Sequence, residues 1–213
     1  MKTIYYLFIS ILLAGCYADE NEIVTSTDTA HNSSEMTRMA MSISMHDASF
    51  DDKIDNTSCF SLIFPYQIHV NSELETISSR QDLLILNDED SFEIVYPVNI
   101  VSFNYEEYQV TSSSQFNLIK ASCEMDISLT PNSCLNIQYP INIKEYNELT
   151  EVFESLQFAD DRDFFRYLDM LHDTDFYEID YPMSFEDLNS NTLRINSNLE
   201  FEQTYNLYFN NCE

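Results

Sequence analysis

The 213-residue chain contains a single glycine, Gly15, and no tryptophan. Glycine lets a backbone turn through left-handed conformations or come close to a ligand. Phosphate-cradling loops, the dinucleotide fingerprint, the G-x-S-x-G elbow and the Ca²⁺-binding helix-loop-helix all need it at fixed positions, so none occurs here in standard form. Hairpins must turn instead on residues that tolerate left-handed backbone, and Asn71, Asn104 and Asn189 to Asn191 are placed to do so. Basic residues are also scarce: nine Lys and Arg stand against 37 Asp and Glu, a net charge of −28. Such a surface repels nucleic acid and attracts cations or basic partners, and it also solvates a secreted chain. The missing tryptophan weakens a carbohydrate platform, and tyrosines such as Tyr96, Tyr139 and Tyr181 fall at strand core positions.

Catalytic constellations are missing too. Among His31, His46, His69 and His172, only the dipeptides His46-Asp47 and His172-Asp173 suggest a site, and no Ser or Cys nucleophile is spaced to match them. The sequence therefore assigns no catalytic residue, no cofactor and no metal ligand set, and the chain reads as a non-enzyme. The cluster Met36, Met39, Met41, Met45 and His46 has the soft ligands of a Cu(I) site. The alternation of Met41, Ile43 and Met45 equally describes a short packed strand. The runs Asp51-Asp52-Asp55, Asp88-Glu89-Asp90 and Asp160-Asp161 could attract Ca²⁺ but lack the alternating oxygen ligands of a defined loop.

What the chain does have is a repeat. Phe60, Leu62, Phe64, Tyr66 and Ile68 alternate across Pro65, and the arrangement recurs around Pro97, Pro140 and Pro182, each time directly after an aromatic residue. Alternation of this kind places the apolar set on one face of a strand. A second apolar stretch and a helix-start signature follow in every copy. Ser79, Ser112, Asp160 and Ser197 each precede by three an Asp, Gln or Glu, which is the capping-box pattern, and Leu83, Phe116, Phe164 and Phe201 follow as anchors. The unit reads as strand, turn, strand, helix. In the third copy the cap follows proline by twenty residues against fourteen or fifteen elsewhere, so Glu145 to Ser155 is an insertion and a candidate contact loop.

The predicted fold is α+β: four ββα repeats forming two tandem ββαββα domains with antiparallel sheets. Residues 38–123, with an N-terminal lead-in, would form the first domain and 132–213 the second. Cysteine placement follows the repeats. Cys59 opens the first and Cys123 closes the second; Cys134 opens the third and Cys212 closes the fourth. Disulfides Cys59–Cys123 and Cys134–Cys212 are expected, each clasping two repeats, out of three possible connectivities. A Cys₄ metal site is the rival, although no C-x-x-C pair is present.

At the N-terminus, Lys2 and the apolar run Ile4 to Leu13 form a leader too short to span a bilayer. Leu13-Ala14-Gly15-Cys16 resembles the lipobox of bacterial lipoproteins, which implies a signal peptide over 1–15 and lipidation of Cys16. Loss of Lys2 with the leader takes the net charge from −28 to −29. Residues 16–37 read as an acidic flexible tether. Its start, Tyr17-Ala18-Asp19-Glu20, resembles the surface-export signal of Bacteroidota lipoproteins.

Arg38, His46-Asp47-Ala48-Ser49-Phe50-Asp51, Ile54-Asp55, Ser58-Cys59-Phe60 and Phe64-Pro65 carry a wider likeness. Over residues 38–213 the chain resembles a group of uncharacterised surface lipoproteins of Bacteroidota with repeated F-P-[IV] strands and capped helix starts. It departs from that pattern at Ala48, where the group has glycine, and in hairpins without Asp-Gly. The resemblance carries no activity. The lipobox, the acidic start of the tether and the missing catalytic constellations together predict a lipid-anchored protein of the outer membrane facing the extracellular side, acting as a non-catalytic interaction or envelope-associated module. Its expected partners are the membrane, through the N-terminal lipid, and cations, a glycan or a basic envelope protein. A glycan- or divalent-cation-capturing accessory lipoprotein is the alternative.

Overall fold

The computed structural model describes residues 29–31, 34–126, 129 and 131–211, with the side chains of 29, 31 and 123–126 excepted. The leader, Cys16, the Asp19-Glu20 signal and Cys212 lie outside the described residues, as does the side chain of Cys123. The fold is α+β with antiparallel sheets throughout.

The chain opens with β1 (Thr29–His31), α1 (Glu35–Ser44) and a 3₁₀ turn (Ser49–Asp51) that runs into α2 (Asp52–Asp55). Four successive groups of three strands and a helix follow. They are β2 (Phe60–Leu62), β3 (Tyr66–Val70), β4 (Glu73–Ile77) and α3 (Arg80–Leu84); then β5 (Phe92–Ile94), β6 (Val98–Ser102), β7 (Glu107–Val110) and α4 (Ser113–Asp126). The third is β8 (Leu135–Ile137), β9 (Ile141–Asn147), β10 (Val152–Phe158) and α5 (Asp161–Met170). The fourth is β11 (Phe176–Ile179), β12 (Met183–Asp187), β13 (Thr192–Ile195) and α6 (Asn198–Phe209).

This corrects the expected ββα unit. Each proline interrupts its strand instead of riding within it, because a residue without an N–H cannot continue a ladder. The chain turns there on a cis aromatic–proline peptide in all four places: Phe64-Pro65, Tyr96-Pro97, Tyr139-Pro140 and Tyr181-Pro182. The two halves of each broken strand then join different sheets. β2 pairs with β6, setting Leu62 opposite Ile100, while β5 pairs with β3, setting Ile94 opposite Ile68. The second half of the molecule does the same, with Ile137 of β8 opposite Phe185 of β12 and Ile179 of β11 opposite Ile143 of β9. Each sheet thus holds a hairpin from one group and the leading strand of its neighbour. The resulting sheets are β2-β6-β7, β4-β3-β5, β8-β12-β13 and the four-stranded β1-β11-β9-β10.

Helix starts form as their sequence pattern dictates. Ser112, Asp160 and Ser197 accept from the amides of Gln115, Asp163 and Glu200 at 3.3, 2.9 and 3.3 Å. The third helical side chain reaches past the cap to the preceding amide in three copies: Asp82 to Ser78, Gln115 to Thr111 and Glu200 to Asn196, at 2.8, 2.9 and 2.8 Å. The four anchors Leu83, Phe116, Phe164 and Phe201 are buried.

Two hydrophobic cores result. One gathers Phe60, Leu62, Ile68, Val98, Ile100 and Phe116; the other gathers Leu135, Ile143, Phe164, Leu168, Tyr177, Phe185 and Phe201. Residues 38–44, expected to lead into the first domain, pack in the second core, through Met39, Ala40 and Ile43. The expected strand over Met41, Ile43 and Met45 is also corrected: Met41 to Ser44 are the last residues of α1, and Met45 is its extended C-cap. Ser34 caps α1 by accepting from Thr37 N at 3.1 Å, and the buried positions Met39, Ala40 and Ile43 follow helical spacing. β1, within the expected tether, adds an edge to the second half by pairing with β11.

Turns replace glycine as follows. Asn71 and Ser72 take positive φ in the β3–β4 turn. In the other hairpins the left-handed residues are Tyr105, Glu151 and Ser190, while Asn104 holds its turn by accepting from Glu106 N at 3.2 Å.

Candidate functional site

The two halves meet around Tyr105. Its hydroxyl donates to the carbonyl of Ser44 at 2.8 Å, its ring packs edge-on to Phe165, and the Arg162 guanidinium lies 5.6 Å from its centroid. A φ of 64° puts this bulky residue in the left-handed region, which costs an L-residue roughly 1–2 kcal/mol. Such strain persists only where surrounding contacts hold it, and it clusters at functional sites.

Beside Tyr105 lies a polar cleft of about 210 Å³ lined by His46, Asp47, Arg80, Asn132 and Asp161. His46 is fixed by Ser61 Oγ at 2.7 Å from Nε2, by the ring of Tyr105, and by its own amide, which donates to Phe103 O at 2.9 Å. Burial lowers its pKa, helped by Arg80 and Arg162 and opposed by Asp47, so the ring is held neutral. Arg80 stacks on Phe50, with its guanidinium carbon 4.0 Å from the ring centroid, and sits 3.8 Å from Asp47. Also lining the cleft, Asn132 donates its backbone N–H to Ser42 O at 2.8 Å, and its Oδ1 accepts from Cys134 N at 3.2 Å. Asn132 is 3% exposed, and its Nδ2 has no hydrogen-bond partner. Asp161 is pushed up to about 6, chiefly by burial, with Tyr139 opposing and Asp160 reinforcing the shift.

A Ser–His contact invites a catalytic reading, but its geometry does not support one. Ser61 is buried within β2 at 1% exposure, out of reach of a substrate carbonyl. Asp47 is engaged with Ser49, accepting from its amide at 3.1 Å and from its hydroxyl at 2.7 Å. Asp173, of the other His-Asp dipeptide, is bypassed as well: His172 pairs with Asp175 at 3.2 Å on the exposed surface.

A second cluster lies inside the first core. Asp51 and Asp55 are 0% and 4% exposed, and Tyr66 beside them is 4% exposed. Asp51 Oδ2 accepts from Leu62 N at 2.7 Å and Asp55 Oδ1 from Thr57 N at 3.1 Å. Their other oxygens, Asp51 Oδ1 and Asp55 Oδ2, have no partner, nor do Asp52 Oδ1 and the Tyr66 hydroxyl. Burial raises both acids, with Asp55 raised further by the charge of Asp51; Asp51 reaches about 7 and Asp55 about 9. Yet no group of three or more His, Cys, Asp or Glu among the described residues is arranged to hold a metal ion. With their pKa values raised by burial, both acids keep their protons to a higher pH than solvated aspartates do.

The insertion in the third repeat forms the longest hairpin. β9 and β10 pair over seven residues each, from Ile141 opposite Phe158 to Asn147 opposite Val152, and β10 is an edge of its sheet. Asn147 Oδ1 caps the tip by accepting from Leu149 and Thr150 amides at 3.0 and 3.2 Å. Leu149 at that tip is 97% exposed, and the exposed Phe153 packs on Tyr146 with centroids 5.4 Å apart.

No family model, no curated protein and no solved structure matches the chain.

Of the cysteines, Cys59 and Cys134 are each disulfide-bonded. Their expected partners are the side chain of Cys123 and Cys212, which lie outside the described part of the structure. The five members of the methionine–histidine cluster serve packing or the cleft wall: Met39 lies in the second core, Met36 and Met41 pack against it, Met45 is buried, and His46 lines the cleft. Nothing local in the sequence pointed to Tyr105 or Asn132. An asparagine in a Pro-Asn-Ser turn carries no local sign of burial, and only Asp161 stood in a noted acidic run. No helix among the described residues is long and apolar enough to cross a membrane.

Proposed function

We propose that this protein is a lipid-anchored lipoprotein of the outer membrane, facing outward, that works as a non-catalytic interaction module. Membership of the Bacteroidota surface lipoprotein group is part of the proposal, as is a mature N-terminus at Cys16. Its descriptive core is two tandem modules, each made of two exchanged repeats. The observation that carries the reading is the β9–β10 hairpin. It projects Leu149, Val152 and Phe153 into solvent, and Glu145, Glu148, Glu151 and Glu154 surround them in sequence. An apolar tip ringed by carboxylates suits a partner with an apolar pocket and a basic rim, such as a basic envelope protein.

Protease shaving of intact cells, probed with an antibody to residues 57–213, tests the location. Loss of signal without lysis supports it, and protection until lysis overturns it. Photocrosslinking from position 149 tests the contact, with the exposed Leu118 of α4 as control. A discrete adduct from 149 alone, weakened by salt, is the expected result. Equal labelling from both positions, or none, would overturn the hairpin's role.

A further inference from the structure

The cleft between the halves presents both hydrogen-bonding donors without acceptors and an acceptor without a donor. Asn132 Nδ2 is a buried amide with no partner. The Arg80 guanidinium, which lies on Phe50 with Asp47 at 3.8 Å, makes no hydrogen bond among the described residues. Asp161 receives the Tyr139 hydroxyl on Oδ1 at 2.8 Å, and no described group donates to Oδ2. Buried polar groups in folded proteins are nearly always paired, so the buried, unpartnered Asn132 amide, in a cleft that also carries the exposed Arg80 and the half-buried Asp161, marks a place for bound molecules.

Size limits what those molecules are. At about 210 Å³ the cleft is smaller than the pockets of drug-sized ligands, roughly 300–1,000 Å³, yet larger than a single water needs. A volume of this size suits a molecule of a few heavy atoms rather than the whole of a glycan chain or peptide segment. Charge narrows the choice further. A bare anion would satisfy Arg80 and Asn132 but must approach a chain of net charge −28. A bare cation would satisfy Asp161 and leave both donors orphaned. We propose that this cleft binds a small zwitterion, an amino acid or a molecule of like size, with its carboxylate on Arg80 and Asn132 and its ammonium on Asp161. The strained backbone of Tyr105, holding one wall, then has a role in keeping the site formed.

The test uses the full chain carrying Cys16→Ser and follows the Asn132 side-chain amide by NMR during titration with glycine and L-alanine. Acetate and methylammonium serve as half-ligands. The expected result is a saturable shift with a zwitterion at millimolar concentration, and at least tenfold weaker binding of either half. Arg80→Gln should weaken glycine binding about tenfold or more, the scale of a lost hydrogen bond to a charged group, and Asp161→Asn likewise. Arg80 is exposed and Asp161 half-buried, and amide spectra unchanged outside the cleft would establish that both variants keep the fold. Acetate binding as tightly as glycine would overturn the proposal in favour of a plain anion site. No shift with any zwitterion would leave a water-filled cleft and overturn it too.

Discussion

The hydroxyl of Tyr139 donates to Oδ1 of Asp161 at 2.8 Å, and Tyr181 repeats the arrangement on Asn198 at 2.6 Å. In both, the aromatic residue that precedes a cis-proline is tied to the first residue of the helix in the same repeat. The strand corner and the helix start are thereby locked together. In the third repeat the lock also sets the carboxylate that lines the cleft.

Replacing Tyr139 by Phe should therefore act on Asp161. The hydroxyl is the contact that lowers the acid against the upward push of burial. Its removal should raise Asp161 above about 6 and cost about 1 kcal/mol of stability. A carboxyl-carbon NMR titration reads the shift directly, and an unmoved Asp161 would refute the coupling.

How much of this was legible in the chain depends on distance along it. The four helix starts were, because cap and responding side chain lie within four residues of each other. The broken strands were not. The prolines marked where each strand must yield, but the sheet joined by each half is set by a partner in the neighbouring repeat. Leu62 finds Ile100 and Ile94 finds Ile68. α1 was misread for the same reason: Met41, Ile43 and Met45 alternate as a strand would, and the choice falls to helix on docking against a core that begins ninety residues later. The cleft is the least legible feature, since Arg80, Tyr105, Asn132 and Asp161 come from four separate segments.

The disulfides offer a direct check on the pairing of repeats. Peptide mapping under non-reducing conditions should recover Cys59 with Cys123 and Cys134 with Cys212. Cys59→Ser or Cys134→Ser removes a bond present in the structure, and each should cost about 2–5 kcal/mol in denaturant unfolding. A Cys59–Cys134 peptide would contradict the pairing.

α1 belongs to the second core, so damage to it should stay there. Met39→Ala removes a buried side chain and should cost about 2–5 kcal/mol. Hydrogen exchange should quicken at amides of β8, β9 and β12 and keep its native rate in β2, β3 and β6. Equal loosening of both cores would mean that they unfold as one unit.

Asp51 and Asp55 make the chain's stability depend on pH in an unusual direction. Burial raises both acids, to about 7 and about 9, whereas unfolded aspartates titrate near roughly 3.9. Between those limits the folded chain binds more protons than the unfolded chain, so stability falls as pH rises. The groups facing the pair do not reverse this. Asp52 raises both, and Tyr66 is itself raised by burial and by their charges. Arg80 lowers Asp51 and Lys120 lowers Asp55 only in part. Asp161, held at about 6, has the same sign over a shorter span, while the lowered His46 favours higher pH. The thermal midpoint should therefore rise on going from pH 9 to pH 5. Relief of repulsion across an acidic surface contributes to such a rise as well. The double variant Asp51→Asn, Asp55→Asn separates the two, since it removes the buried acids and leaves the surface unchanged. Its midpoint should vary clearly less with pH than that of the parent protein, and an undiminished slope would show that the buried pair carries none of it.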